Sequence, residues 1–473
     1  MVLSVENRIK ANDAFQSVLT HLDQAFDERQ KFDQVEEELF QQMRQLGLLM
    51  LQAGVDDVSD EEIANAPDVI QRVDDPDLKK LEKNQTRRLV TIFGELSIRG
   101  PAYAVRAKQK IEHAPVAARL GLPEGEFSYL FQNWAQRFCV RNAFHDSRDM
   151  LDEMLGTRVS VRTLEHMNQH MAADVEAFCE QQSAPEPADE GELLVVSADA
   201  TGVPMAHRGG KMQMAYVGAC YTIDRHIRSI DDILDETLRK TSQEKRPRLK
   251  FKRLFADMTR ARDEAPDTVV DGRMAVFTWL ESEVKSRRHD GSMPVICLMD
   301  GEQKLWDRKA ELLDEDVVEI LDFWHFLDRL RAVSKIFTKT DAEAELFLEA
   351  RLRRVLQGEI GGVIRSLRCL LTRRKLRGEK RKTVASAITY FDNNRHRLRY
   401  DSYLAAGYPI ASGVIEGSCR HVVEDRLDQT GMRWEEPGAV AMLQTRCISL
   451  SDDWKEYQVW RINQEQQRLY TTL

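Results

Sequence analysis

Long apolar runs, paired cysteines and a secretion signal are all missing from this sequence. The longest apolar stretches, such as LLVV at 193–196, fall far below the length of a membrane span. The first residues, MVLSVENRIKANDAF, lack the basic start and apolar core of a secretion signal. The seven cysteines are scattered and form no CxxC pair. This spacing favours reduced thiols over a disulfide framework, so we expect a cytoplasmic protein with no membrane partner.

The sequence also lacks a net positive charge: its formal net charge at pH 7 is −10. The charges are nevertheless segregated. Residues 239–253 carry eight Lys or Arg against one Glu, and residues 365–382 carry nine against one, whereas acid gathers at 33–40, 56–62 and 186–192. Basic stripes on an otherwise acidic protein suit contact with nucleic-acid phosphate. Solvated loops without a binding role are the alternative.

The first 180 residues divide into two patterns. Residues 1–85 have apolar residues at helical spacing, which predicts a helical arm. The arm could serve self-association or DNA contact, or it could simply cap the next domain. Residues 86–180 begin with the alternating pattern RLVTIFGELSIR, which predicts one or two strands. A helix-turn-helix-like segment follows, with a first helix ending at Gly156 and a second capped by Ser160. This pair fits DNA binding or a purely structural bundle.

A polar, proline-bearing stretch at 181–191 predicts the clearest domain boundary, and a mixed α/β pattern follows it. Strands are predicted at 192–199, 212–223, 249–258, 293–300 and 317–325, and helices at 272–287 and 303–313. That order predicts a ribonuclease-H-like mixed sheet, built from 192–325 and 406–450. Residues 326–405 predict a helical insertion, and residues 451–473 form a C-terminal tail.

Two predicted strands end on an acid followed by turn residues: Asp199 in DATG and Asp300 in DGEQ. Carboxylates at neighbouring strand ends can share divalent metal ions, for which Mg²⁺ is expected and Mn²⁺ is possible. Two such ions can stabilise both oxygens of an in-line phosphoryl displacement. Glu416, at the start of a predicted helix, is the candidate third carboxylate. Each Asp could instead be a simple turn former.

Three segments resemble the bacterial insertion-sequence transposases of the Kra type, relatives of the mutator-like DDE transposases. They are VVSADATGVPM, VICLMDGEQKLW with VVEILDFWHFLDRL, and YPIASGVIEGSCRHVVEDRLDQTGMRW. The resemblance covers roughly 86–450, and its most specific part is the G-x-x-E element with its trailing GMRW. It implies a nucleoid-associated bacterial protein whose catalytic triad is Asp199, Asp300 and Glu416.

The same resemblance assigns supporting residues. Asp322 and His325 match the DxxH element, where the histidine would contact the scissile phosphate or an end base, or order the active-site loop. Arg420, Arg426 and Arg433 would contact the DNA backbone, although Arg420 could equally pair with Glu424. Trp434 would stack on a flipped base or lie in the core. The cysteine-pair zinc motif usual in the family is missing from RGPAYAVRAKQKIEH at 99–113, so no zinc module is expected.

The sequence therefore predicts a transposase that binds terminal inverted repeats through residues 86–180 and cuts and joins DNA in the ribonuclease-H-like domain. A homodimer or larger assembly holding two ends is expected. Three alternatives stay open: a domesticated or defective copy that only binds DNA, a metal-dependent nuclease without strand transfer, and a helical scaffold with an incidental α/β core.

Overall fold

The computed structural model describes residues 2–470 except 73–74, 107–108, 208, 210, 240, 242–245, 263–264, 289–290 and 430. The basic run at 239–253 thus lies partly outside the described residues. The chain forms two compact units, Met1–His170 with Lys455–Leu473, and Met171–Trp454. Among the described residues, no helix is both long and apolar enough to cross a membrane.

The first unit is mostly helical with small β-sheets. Its elements in chain order are α1 Val2–Asp27, α2 Phe32–Ala64, β1 Val69–Ile70, β2 Leu78–Lys80, β3 Gln85–Thr91, β4 Gly94–Gly100, β5 Tyr103–Ala104, α3 Pro115–Arg119, α4 Tyr129–Cys139, α5 Phe144–Leu155 and α6 Val161–Ala172. The arm predicted as helical to residue 85 is thus helical only to Ala64, and the short strands β1 and β2 follow.

The alternating pattern near residue 90, which predicted one or two strands, forms the two strands β3 and β4, and these pair antiparallel as a hairpin. The helix pair is also present. Helix α5 ends on Gly156, whose φ of 58° is the left-handed conformation that glycine adopts easily. Helix α6 is capped by Ser160, whose hydroxyl accepts a 3.0 Å hydrogen bond from the backbone N–H of Thr163.

The second unit is mixed α/β. Its elements are α7 Val175–Gln181, β6 Leu193–Pro204, β7 Met212–Ile223, α8 Ile230–Leu234, β8 Lys250–Met258, β9 Arg260–Arg262, β10 Ala265–Val270, α9 Gly272–Arg287, β11 Val295–Met299, α10 Gln303–Leu312, β12 Val318–Leu321, α11 Phe323–Phe337, α12 Asp341–Leu356, α13 Ile360–Arg373, α14 Gly378–Asn393, α15 Tyr400–Ala405, α16 Gly413–Cys419, α17 Asp425–Leu427 and α18 Glu436–Leu450. The last helix of the chain, α19 Trp454–Tyr470, belongs almost wholly to the first unit.

Five strands of the second unit form one mixed sheet in the order β12-β11-β6-β7-β8. Strands β12, β11 and β6 are parallel neighbours, whereas β7 is antiparallel to both β6 and β8. Side chains alternate between the two faces of the sheet. One face packs on the helices α11 to α15, and the other packs on α9 and α10. The predicted α/β class with a mixed sheet is therefore confirmed.

Two expectations about boundaries are wrong. The 181–191 segment lies inside the second unit instead of dividing it from the first. Its Glu190 is buried and accepts 2.8 Å hydrogen bonds from Arg287 and a 2.6 Å bond from Thr222, which fixes the segment to the sheet. The strand predicted at 317–325 ends at Leu321, because the Asp322 side chain caps a helix that begins at Phe323.

Candidate active site

Three acids lie at the edge of the sheet where the neighbouring parallel strands end, two directly after a strand and one within a strand. Asp300 and Asp322 come directly after β11 and β12. Asp199 was expected at a strand end, but β6 continues to Pro204, so the DATG segment is not a turn. Pairing of β6 with β11 stops at Val196, and only the antiparallel pairing with β7 continues. Asp199 therefore lies beyond the parallel part of the sheet, where ligand crevices form in open α/β sheets.

The alternation along the strands places Asp199 and Asp300 on one face. Residues separated by an even number of positions along a strand share a face, so Asp199 lies on the same face as Val195, and Asp300 on the same face as Leu298. Both apolar residues belong to the core shared with the helical insertion. Glu416 lies on α16, which packs against β6 and β7. The three predicted acids thus converge on one side of the sheet.

The Asp199 carboxylate is held on both oxygens. Its Oδ1 accepts a 2.8 Å hydrogen bond from the backbone N–H of Ala200, and its Oδ2 accepts a 3.8 Å contact from the Cys419 thiol. Burial raises the pKa of Asp199, and the negative charge of Asp300 raises it further against the Ala200 hydrogen bond. A cation near both acids would relieve this repulsion.

Asp300 is fixed by its own turn. Its Oδ1 accepts a 2.9 Å hydrogen bond from the backbone N–H of Glu302, and its carbonyl accepts a 2.6 Å bond from the Trp306 indole. A Cβ at the next residue, Gly301, would lie only 2.1 Å from the Tyr390 ring of the insertion helix α14. The glycine lets the insertion approach the Asp300 turn closely.

Asp322 and His325 form a pair within the first turn of α11. Asp322 is fully buried. Its Oδ1 accepts a 2.8 Å hydrogen bond from the backbone N–H of His325 and lies 3.0 Å from Nδ1 of the His325 ring. Its Oδ2 accepts a 2.6 Å hydrogen bond from the backbone N–H of Ser412. Burial opposes ionisation, but these hydrogen bonds lower the pKa of Asp322. The bond to Asp322 in turn raises the pKa of His325 to about 9, so the imidazole is cationic at neutral pH.

Glu416 is the most accessible of the acids, with a side chain 44% exposed. Its Oε1 lies 3.9 Å from the His325 Nδ1. Burial raises the pKa of Glu416, and the charges of Asp322 and Asp199 add to the effect while His325 opposes it. His325 is therefore a positively charged neighbour that these carboxylates share. A π-helical turn, Arg420–Glu424, follows α16, a distortion that is frequent at functional sites.

Two residue sets in this cluster could hold a metal ion. Among the described residues, the ligand atoms that lie within 4.8 Å of one another belong to Asp322, His325 and Glu416, and not to the predicted triad. Both oxygens of Asp322 already accept hydrogen bonds, one of them shared with His325 Nδ1. That pair is better suited to orienting its neighbours. Asp199, Asp300 and Glu416 offer the hard oxygen donors that Mg²⁺ prefers.

The other predicted site residues are divided between surface and core. Arg420 is exposed and forms an ion pair at 3.5 Å with Asp425, and not with Glu424, the partner offered as an alternative. Arg433 is also exposed. Arg426 is fully buried with its guanidinium 5.1 Å from the Trp434 ring centre, and the Trp434 indole donates to the Leu427 carbonyl at 3.0 Å. Arg426 and Trp434 therefore lie in the core, whereas Arg420 and Arg433 are accessible to solvent.

The second basic run forms an exposed tip on the insertion, at the end of α13, the following loop and the start of α14. Two of its cations pair with acids, Arg368 with Asp392 and Lys382 with Glu379, each at 2.8 Å. The described structure shows no ion pair for the remaining seven exposed cations: Arg365, Arg373, Arg374, Lys375, Arg377, Lys380 and Arg381. We call these seven residues the basic tip.

Sequence reasoning missed three residues at the site. Cys419 follows Glu416 by less than one helical turn, and this spacing could have suggested that both face the same strand. Tyr390 and Arg329 gave no local signal, because their place depends on how α14 packs on α11. The Arg329 guanidinium lies 3.8 Å from the centre of the Tyr390 ring.

Comparisons with known proteins add little to this geometry. No protein-family model and no curated protein matches the sequence. One solved structure with a detectable likeness is a Drosophila P element transposase strand transfer complex, at 12% identity and a TM-score of 0.24, over 71% of this chain and 81% of that one. A likeness of this size leaves the function to be inferred from the residues of the chain.

Proposed function

We propose that this protein is a DDE transposase of the insertion-sequence type, with Asp199, Asp300 and Glu416 as its catalytic acids. The convergence of these three residues around His325 carries the proposal, because they are far apart in the sequence and share one edge of one sheet. A turn-forming role could explain Asp300 alone, but it does not explain why the charge of Asp300 raises the pKa of Asp199 and the charge of Asp199 raises the pKa of Glu416.

The strand order supports a ribonuclease-H-like catalytic domain. The five strands of the sheet can be renumbered 1 to 5 in chain order, from β6 to β12. Their order across the sheet is then 5-4-1-2-3, and only the second strand, β7, runs antiparallel to the others. In this proposal the helices between β12 and α16 are an insertion that separates the last acid from the first two. A plain ribonuclease-H arrangement would have no reason to carry the basic tip.

The carboxylates fit Mg²⁺ or Mn²⁺, which would activate the attacking oxygen and stabilise the leaving one. The chain itself would contribute orientation. Cys419 and Ala200 fix Asp199, the turn at Glu302 fixes Asp300, and Asp322 holds His325 in its cationic form beside Glu416. A cationic imidazole at this place can bind a substrate phosphate oxygen, which matches the role that the DxxH element implies.

Two further parts of the proposal concern DNA and assembly. We propose that the basic tip and the exposed Arg420 and Arg433 contact the DNA backbone, and that α5 and α6 recognise the transposon ends. Assembly into a homodimer or a larger complex is supported by exposed apolar side chains along α1 and α2.

End cleavage in vitro tests the proposal. A duplex that contains the inverted repeat bracketing the gene is incubated with the full chain and Mg²⁺ or Mn²⁺. We expect cleavage by the wild type, its loss in Asp300→Asn with end binding retained, and no change in Asp307→Asn, an exposed acid on the neighbouring helix α10. Wild-type binding without cleavage would instead identify a DNA-binding protein.

A second assay separates a transposase from a nuclease without strand transfer. A pre-cut end with a free 3′-OH is supplied together with a target plasmid. Both steps of transposition are in-line displacements at phosphorus, so one site can perform both. Joined products support the transposase, and cleavage without joined products would show a nuclease.

A further inference from the structure

We infer that Arg329 binds a backbone phosphate of the DNA strand held at the carboxylate cluster. This inference rests on the proposed function and adds a residue that neither the motifs nor the chemistry of the acids assign. Arg329 follows His325 by four residues on α11, so both side chains lie on the same face of the helix, one turn apart.

The Arg329 side chain is exposed but held in place. Its guanidinium lies 3.8 Å from the centre of the Tyr390 ring, close enough for a cation–π contact. The Tyr390 ring in turn covers Gly301, the residue next to Asp300. One aromatic ring is therefore close both to the guanidinium and to the turn that presents a catalytic acid.

Among the described residues, no carboxylate lies within ion-pair distance of Arg329. Its chain neighbour Asp328 pairs with Arg331 at 3.3 Å, and the nearby Asp322 is engaged by His325 and Ser412. An exposed guanidinium without an ion-pair partner beside this cluster is available to bind an anion, and the proposed substrate of the cluster is a polyanion.

The chemistry of the side chain favours a phosphate. A planar guanidinium offers several N–H donors in a fixed fork that matches two phosphate oxygens, and the ring beneath it reduces the entropy lost on binding. From its position one turn beyond His325, Arg329 would hold a phosphate neighbouring the scissile one. It would thereby position the strand without touching the reacting atoms, so it is a positioning residue.

A phosphate-by-phosphate experiment tests the inference. Neutral methylphosphonates are placed one at a time along the inverted-repeat strand, and affinity and single-turnover cleavage are measured for the wild type, Arg329→Gln and Arg331→Gln. Arg331 is the matched control, because it lies on the same helix but is paired with Asp328. Thermal unfolding shows whether each variant is folded.

The expected result is specific to one position. With unmodified DNA, Arg329→Gln should weaken binding or cleavage by about tenfold to a hundredfold, the loss expected for a charge-assisted contact. A methylphosphonate at one particular position should lower the affinity or cleavage rate of the wild type and of Arg331→Gln. The same modification should cause no further loss in Arg329→Gln, because that variant already lacks the contact. Arg329→Lys should recover part of the loss, because it keeps the charge but not the fork.

Two results would overturn the inference. If a cleaving wild type and Arg329→Gln respond alike to every methylphosphonate, Arg329 touches no phosphate, and the proposed function stands without it. If the folded wild type neither binds nor cleaves the repeat, the proposed function and this inference fail together.

Discussion

Single residues control how closely the insertion approaches the acids, and Gly301 is the clearest case. No positive φ requires glycine there; what excludes a side chain is the Tyr390 ring, 2.1 Å from where a Cβ would lie. The same ring also contacts the Arg329 guanidinium. A change of one methyl group at Gly301 should therefore disturb the Asp300 turn and the guanidinium together.

We expect Gly301→Ala to destabilise the protein by about 1–3 kcal/mol, as overpacking of a tight contact does, and to lower cleavage. Replacing Tyr390 by Leu in the same chain should restore much of the stability, because it removes the ring atoms that the new methyl group meets. Thermal unfolding and cleavage of both variants provide the check. Equal stability of Gly301→Ala and the wild type would show that the loop shifts freely.

At the scale of elements, the insertion is fastened to the sheet by a charged network below the site. Glu319 on β12 accepts a 2.7 Å hydrogen bond from Arg397, which follows α14, and lies 3.3 Å from Lys309 of α10. The Arg397 guanidinium also lies 3.8 Å from the centre of the Trp306 ring. Burial opposes ionisation of Glu319, but Arg397 and Lys309 outweigh it and hold its pKa below the ordinary value.

This network predicts a pH dependence of stability. A carboxyl whose pKa is lowered by folding stabilises the folded state fully above its unfolded pKa, and the contribution is lost as the pH falls through the lower folded pKa. Near neutral pH, Glu319→Gln should therefore unfold more easily by about 1–3 kcal/mol. The difference from the wild type should shrink below a pH of about 4.

Denaturant unfolding of the wild type and Glu319→Gln across this pH range measures the effect. Glu315→Gln, an exposed acid just before the same strand, is the matched control and should track the wild type. A Glu319→Gln difference that stayed constant down to acid pH would show that the carboxylate charge contributes nothing.

At the scale of the whole molecule, the first unit presents apolar surface that a single copy leaves uncovered. Phe40, Met43 and Met50 are each about half exposed or more, and their spacing puts them along one side of α2. Helix α1 adds further exposed apolar side chains, including Ile9 and Phe26. Isolated exposed apolar residues are common, but a row of them along two paired helices is typical of an interaction surface.

We expect the full chain to be a dimer or larger in solution and the double variant Phe40→Glu/Met50→Glu to dissociate it. Both side chains are exposed, so folding of the single copy should be little affected. Leu346→Glu is the control, since Leu346 is 69% exposed on α12, outside this surface. Light scattering gives the masses; an unchanged mass in the double variant would place the assembly elsewhere or exclude it.

The sequence by itself determined the order and kind of most elements in the second unit. Apolar runs and helical spacing depend on local contacts, and they located β7 and α9 to the residue. They also marked Asp300 as a strand-end acid, since a strand that emerges into a turn can be recognised from its neighbours in the chain. The continuation of β6 past Asp199 was missed, because pairing with β7 depends on residues elsewhere in the chain.

Only the tertiary structure decided which side chains meet. The insertion helices bring Tyr390 and Arg329 to Asp300, and α16 brings Cys419 to Asp199, through packing that no local pattern encodes. Burial likewise placed Arg426 and Trp434 in the core, although the motif had assigned Arg426 to DNA and had left Trp434 open between a flipped base and the core. Composition predicted neither outcome, because the free energy of burying a side chain depends on the partners that the fold supplies.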